Sequence, residues 1–183
     1  MVVCVLVIGV ADLLIWRSGA PYGVQALFDE PAHAAIGILA LSAIGLSFGT
    51  PVVAAVLAGS LLIDLDHVPH LLGSNVLEHG VPRPYSHSLL TIAIVLLVAL
   101  LLRDRRRRRL GLVVASALAL HFFRDMAEPG GPGVSLLWPL SDHAFTLNYA
   151  WFAGLAAALA VVALARRRLA RPRLRAIQQK ALS

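Results

Sequence analysis

Charge is what this 183-residue sequence has least of: Asp, Glu, Lys and Arg make up 14% of it, where a soluble domain carries about 25%. Apolar residues make up 58%, and the mean hydropathy is +0.78. One domain's length of chain cannot hide that much apolar surface in its own interior, so the excess faces lipid. Cysteine is almost missing as well. A single Cys4 excludes an internal disulfide and any Cys-based metal cluster, and its apolar surroundings mark it as a small core residue. The first residues, Met1–Trp16, lack the basic start and small-residue cleavage site of a secretory signal, and they read as a retained, short first span. There is no internal repeat, and the Arg runs are the only low-complexity segments.

What charge there is lies in blocks. The isoelectric point is near 10.7, yet thirteen of the sixteen Lys and Arg fall in Arg103–Arg109 and Arg166–Lys180, each after an apolar run. Basic blocks beside spans set topology and contact anionic lipid. Membrane lipids are therefore the expected partners, and no nucleic acid is expected.

Apolar runs broken by charges and Gly/Pro clusters predict an all-α, polytopic membrane helix bundle of about six transmembrane helices. The spans fall at about 1–16, 31–48, 51–66, 86–102, 110–126 and 149–166, in a single membrane-embedded domain with a basic tail over 166–183. Several are shorter than the ~20 residues that cross a ~30 Å core, so each is expected to extend into its flanks. Residues 17–30 read as a loop with a helical turn, and Gly49-Thr50-Pro51 as a tight turn. Residues 67–85 are polar, and 127–148 form a long Pro/Gly-rich loop of the kind that often carries function. The Arg103–Arg109 connection belongs in the cytoplasm, which puts both termini inside. Trp16, Tyr22, Tyr85, Trp138, Tyr149 and Trp151 then fall on the outer side, as interfacial anchors or as a platform for substrate.

That topology sets the depth of the ionisable residues. His33 opens span two, Asp64, Asp66 and His67 close span three, His87 opens span four, and His121 and Asp125 close span five. At 1.5 Å per residue these lie ~16–22 Å above the inner ends of their helices. Four helices thus bring His and Asp to one level in the outer half of the membrane. A carboxylate there costs several kcal/mol unless it is paired or wet. No Lys lies near, and the Arg candidates are Arg83 and Arg124. A divalent cation would settle the imbalance, and His plus Asp suits zinc or a similar metal. Spacing agrees: His121 and Asp125 are four apart, and Asp64 and His67 three apart, each pair on one helical face. Asp12 reads as a supporting residue or as a partner of Arg17.

The segments Gly59-Ser-Leu-Leu-Ile-Asp-Leu-Asp-His67, Arg83-Pro-Tyr-Ser-His-Ser88, His121-Phe-Phe-Arg-Asp125 and Gly133 with Leu137-Trp-Pro-Leu140, preceded by His33, resemble the YdjM-like family of inner-membrane metal-dependent hydrolases. The likeness covers about residues 30 to 145 in the expected order. More remotely, the order of His and Asp motifs is similar to the zinc-dependent phospholipase C and P1-nuclease group. That likeness implies His33, Asp64, His87, His121 and Asp125 as ligands of one to three zinc ions, with Asp125 able to bridge two. Asp66 and His67 would be further ligands or would orient the others. The chain departs from the family pattern at Ile63, where Pro is common, and at Pro82, where His is common. His79 lies near the second departure.

The expected activity is hydrolysis of a phosphoester or lipid-linked ester at the outer-leaflet level of a cytoplasmic membrane. Asp64 or Asp66 would accept the proton of the attacking water, with Glu30 a further candidate. Arg83 or Arg124 would fork onto a phosphate, and Arg124 would otherwise snorkel to the interface. Two rival classes remain: a metal-ion or proton transporter, and a non-catalytic structural or interaction protein. A proton path needs polar residues running on to the cytoplasmic side, whereas spans two to five are almost wholly apolar below the cluster.

Overall fold

In lipid a backbone must satisfy its own hydrogen bonds, and helices do so segment by segment. The computed structural model describes residues 1–183 apart from 20, 21, 47, 79, 82 and 183, so His79 and Pro82 lie outside the described residues. The fold is all-α. Six helices run α1 (Val2–Ser18), α2 (Tyr22–Ile44), α3 (Thr50–Leu61), α4 (Leu89–Leu101), α5 (Arg105–Met126) and α6 (Tyr149–Leu182). A 3-10 turn, Ile63–His67, and one helical turn, Val68–Leu71, prolong α3. Among the described residues, three stretches are long and apolar enough to cross a membrane: Leu27–Ile44, Thr50–Leu71 and Tyr149–Ala170.

Helix α2 is the hub, packed on α1, α3, α5 and α6, while α5 also packs on α3 and α4. Ile8 and Ala11 of α1, Ile36 and Leu39 of α2, and Phe152 of α6 share one buried cluster. The molecule is turned inside out relative to a soluble protein. His33, His87, His121 and Asp125 are buried, whereas Leu6, Val10, Leu97, Leu101 and Val161 are exposed, as expected of helices whose outer faces meet lipid.

Four boundaries differ from the sequence reading, and each has a physical reason. Residues 22–30 are helix rather than loop, because Pro31 sits inside α2 instead of starting it. Proline removes one backbone bond, which a membrane helix tolerates when its neighbours support it. The Arg block is also helical. Asp104 caps α5 by accepting from the Arg107 amide at 2.7 Å, and the Arg108 guanidinium closes back on the Leu102 carbonyl. Span three does not continue as α-helix to residue 66, since α3 ends at Leu61 and the 3-10 turn carries Asp64, Asp66 and His67. His87 and Ser88 precede α4 rather than open it.

Close packing of α3 on α5 depends on Gly59. A Cβ there would lie 2.5 Å from the Val114 carbonyl oxygen and 2.8 Å from Ala117 Cβ, a small-residue contact of the kind that lets membrane helices approach. Gly59→Val should cost about 1–3 kcal/mol or more, because backbone must move. Thermal unfolding in detergent measures it, and an unchanged melting temperature would contradict the contact.

Candidate metal centre

The local folds aim each side chain. A 3-10 turn has three residues per turn, so Asp64 and His67 stand in line, with His67 Nε2 3.6 Å from Asp64 Oδ1. The same turn sends Asp66 the other way, towards the segment before α4. There the Ser86 hydroxyl donates to Asp66 Oδ2, and His87 Nδ1 lies 3.3 Å from that oxygen. A backbone bond from His87 N to Pro84 O (2.8 Å) holds the tight turn that tips the His87 ring inward.

Helix α5 supplies His121 and Asp125 from one face, their Nε2 and Oδ2 atoms 3.2 Å apart. Asp125 is the point where the rings meet. Its Oδ1 lies 3.3 Å from His33 Nε2 and its Oδ2 3.6 Å from His87 Nε2. Asp64 Oδ1 makes a second such point, 3.2 Å from His87 Nε2 and 3.4 Å from His121 Nε2. The His33 and His121 rings stack with centroids 3.8 Å apart.

One contact decides the chemistry of this cluster. His121 Nδ1 lies 3.0 Å from the Ser60 carbonyl oxygen and donates its proton there. In the neutral ring the Nε2 lone pair then faces the oxygens of Asp64 and Asp125. His121 Nε2, Asp64 Oδ2 and both Asp125 oxygens are buried without a hydrogen-bond partner. Carboxylate oxygens and imidazole nitrogens gathered this closely, several of them without a hydrogen-bond partner, fit a cation. Among the described residues, three overlapping groups could hold a metal ion: His33, His121 and Asp125; Asp64, His87 and His121; and Asp66, His67 and His87.

A family model described as the YdjM inner membrane protein matches residues 29–181. The chain belongs to the YdjM inner membrane protein family. No curated protein and no solved structure matches it. All the residues of the three metal-holding groups lie within the matched stretch of this YdjM-family protein, whereas α1 lies outside it.

Beside the centre lies a cavity of about 150 Å³, lined by Asp29, Glu30, Asp64, His67, Arg83 and Glu128 among others. A larger one of about 360 Å³ shares His67, Arg83 and Glu128 and reaches outward past Trp16, His70 and the start of the 127–148 loop. Arg83 stands on the common wall, its Nη2 2.6 Å from Glu128 Oε2 and its Nη1 3.7 Å from Asp125 Oδ2. Burial raises the Glu128 carboxyl above its usual range, against the pull of the Arg83 guanidinium. The loop that carries Glu128 is clipped down by the Val134–Phe145 bridge, by Leu89 N donating to Leu136 O at 2.9 Å, and by a Tyr85–Trp138 ring stack.

The expectation for Arg124 is corrected, and of the two readings of Asp12 the pairing with Arg17 gives way. Arg124 neither snorkels nor reaches the cavity: it is 4% exposed and held between Asp29 and Asp12. Asp12 accordingly pairs with Arg124 and accepts from the Tyr149 hydroxyl at 2.5 Å, and no contact with Arg17 occurs among the described residues. Tyr149 thus points inward, while Trp16 and Trp151 are exposed. Sequence reasoning missed Asp29 and Glu128. Asp29 stands one helical turn before His33, a spacing that would have revealed it had Pro31 not suggested a helix start.

Proposed function

We propose that this YdjM-family protein is a metal-dependent hydrolase of a phosphoester or lipid-linked ester, with zinc as its metal. The observation that carries the reading is the set of unpartnered lone pairs on His121, Asp64 and Asp125 beside a cavity lined by a guanidinium. His33, Asp64, His67, His87, His121 and Asp125 would hold one to three ions, a donor set suited to zinc. A bound zinc ion supplies Lewis acidity and lowers the pKa of water from 15.7 to about 7.

The chain's own groups do the rest. Asp64 Oδ2, buried without a partner at the cavity wall, takes the proton of a cavity water. Asp66, committed to Ser86 and His87, orients the His87 ring. Arg83 forks onto an anionic group entering the cavity. The Arg-rich segments after α4 and within α6 support a cytoplasmic side for both, and hence six spans with both termini inside and the centre in the outer half. A headgroup at that depth favours a lipid or lipid-linked substrate.

The test is elemental analysis of the detergent-purified protein, with phospho- and carboxyl-ester assays beside His121→Ala. Metal in the wild type and ester turnover lost in the variant are expected. No metal in the wild type would sink the reading. Metal without turnover would point to a binding or structural role, and metal-dependent flux into liposomes to transport.

A further inference from the structure

Four helices meet at a line of polar groups that leads up to the metal centre at His33. It runs from Tyr149 on α6 through Asp12 on α1 and Arg124 on α5 to Asp29 and His33 on α2. The Tyr149 hydroxyl donates to Asp12 Oδ2 at 2.5 Å, and Asp12 Oδ1 lies 2.7 Å from Arg124 Nη1. Arg124 Nε and Nη2 both donate to Asp29 Oδ1, at 2.9 and 2.5 Å. Phe152 lies under the guanidinium, 5.2 Å from ring centroid to Cζ. Asp29 Oδ2 remains, and it faces His33 Nε2 at 3.1 Å.

We propose that Asp29 is a positioning residue that sets which nitrogen of His33 carries the proton and holds the ring for metal binding, with Arg124 and Asp12 fixing Asp29 in turn. The inference rests on the metal centre proposed above and adds residues to it. Ring orientation needs two constraints. Stacking on His121 fixes the plane of the His33 ring, and a carboxylate at its edge fixes the rotation within that plane. Nε2 lies 3.1 Å from Asp29 Oδ2 and 3.3 Å from Asp125 Oδ1, and a proton there, held by Asp29, leaves the lone pair on Nδ1, which is buried without a hydrogen-bond partner. Carboxylates that orient a ligating histidine in this way also make it a stronger donor. Asp29 is itself immobile, since its second oxygen is forked by a guanidinium that has no remaining freedom. Helix α1 thereby contributes to the centre without placing any atom in it.

Cobalt(II) and zinc titrations of the full chain in detergent test this, with wild type, Asp29→Asn, Asp29→Leu and Asp12→Asn compared. Circular dichroism and the melting temperature of each metal-free variant are recorded separately. Asp29→Asn should weaken cobalt binding by roughly 10–100-fold and shift the visible absorption of the bound ion. Its amide oxygen still accepts the ring N–H, so affinity should fall in the order wild type, Asn, Leu. Asp12→Asn should fall between wild type and Asp29→Asn. A purely structural role predicts a lower melting temperature with unchanged affinity and spectrum in the folded protein, and that result would overturn the inference. Where Asp29→Leu fails to fold, Asp29→Asn decides. A wild type that binds neither ion overturns the metal centre and this inference together. A wild type that binds, with variants equal to it, overturns the inference alone.

Discussion

Asp125→Ala is expected to reduce metal affinity by more than about 100-fold, beyond the loss that follows from disturbing a residue that merely orients a ligand. Asp125 is 1% exposed and presents one oxygen to His33 and the other to both His121 and His87. Its removal takes a ligand directly from one of the three groups and frees the His121 and His87 rings that the other two use, and it removes a carboxylate that lies near Arg83. Isothermal titration with zinc or cobalt reads the loss directly. Asp125→Asn is the control for volume: it keeps the shape and the amide oxygen but not the charge, so it should retain part of the affinity. Wild-type affinity in Asp125→Ala would show that the oxygens facing three imidazoles are not the place where a cation sits.

Arg124→Leu should be the most destabilising single change, at about 3–5 kcal/mol, because it leaves two carboxylates buried without their cation. Asp12 and Asp29 approach the same guanidinium from opposite sides at 2.7 and 2.5 Å. Denaturant unfolding of the metal-free protein separates this loss from any effect on binding. The sign can be checked by adding Asp12→Asn and Asp29→Asn to Arg124→Leu. The triple variant should recover a large part of the stability, since removing a whole buried ion group costs less than breaking it. A triple variant less stable than Arg124→Leu would mean that the carboxylates contribute through other partners.

The clustering of His and Asp was legible in the sequence because lipid makes charge conspicuous. His33, Asp64, His87, His121 and Asp125 stand out against apolar helices, and counting rise along each helix puts them at one level. Their supports were not legible. Asp29 is hidden by Pro31, which reads locally as a helix start and is structurally a mid-helix residue. The 3-10 turn over Ile63–His67 is hidden because periods of 3.0 and 3.6 barely diverge over five residues. Arg124 was visible as a charge, but its partners come from α1 and from the stretch read as loop, so no local spacing could name them. Span ends were missed where Asp104 caps a run of arginines, since a charged run next to a membrane reads equally well as loop or as helix.

For the anionic substrate proposed above, the Arg83–Glu128 pair on the wall between the two cavities would make admission an exchange of counterions. An anion that displaces Glu128 gives the buried guanidinium a new partner, and the raised affinity of Glu128 for a proton eases its release. A neutral molecule that displaced Glu128 would offer the guanidinium no charge in its place. Under the proposed function the wall would therefore sort visitors by sign before any bond is broken, with one ion pair serving as both latch and filter.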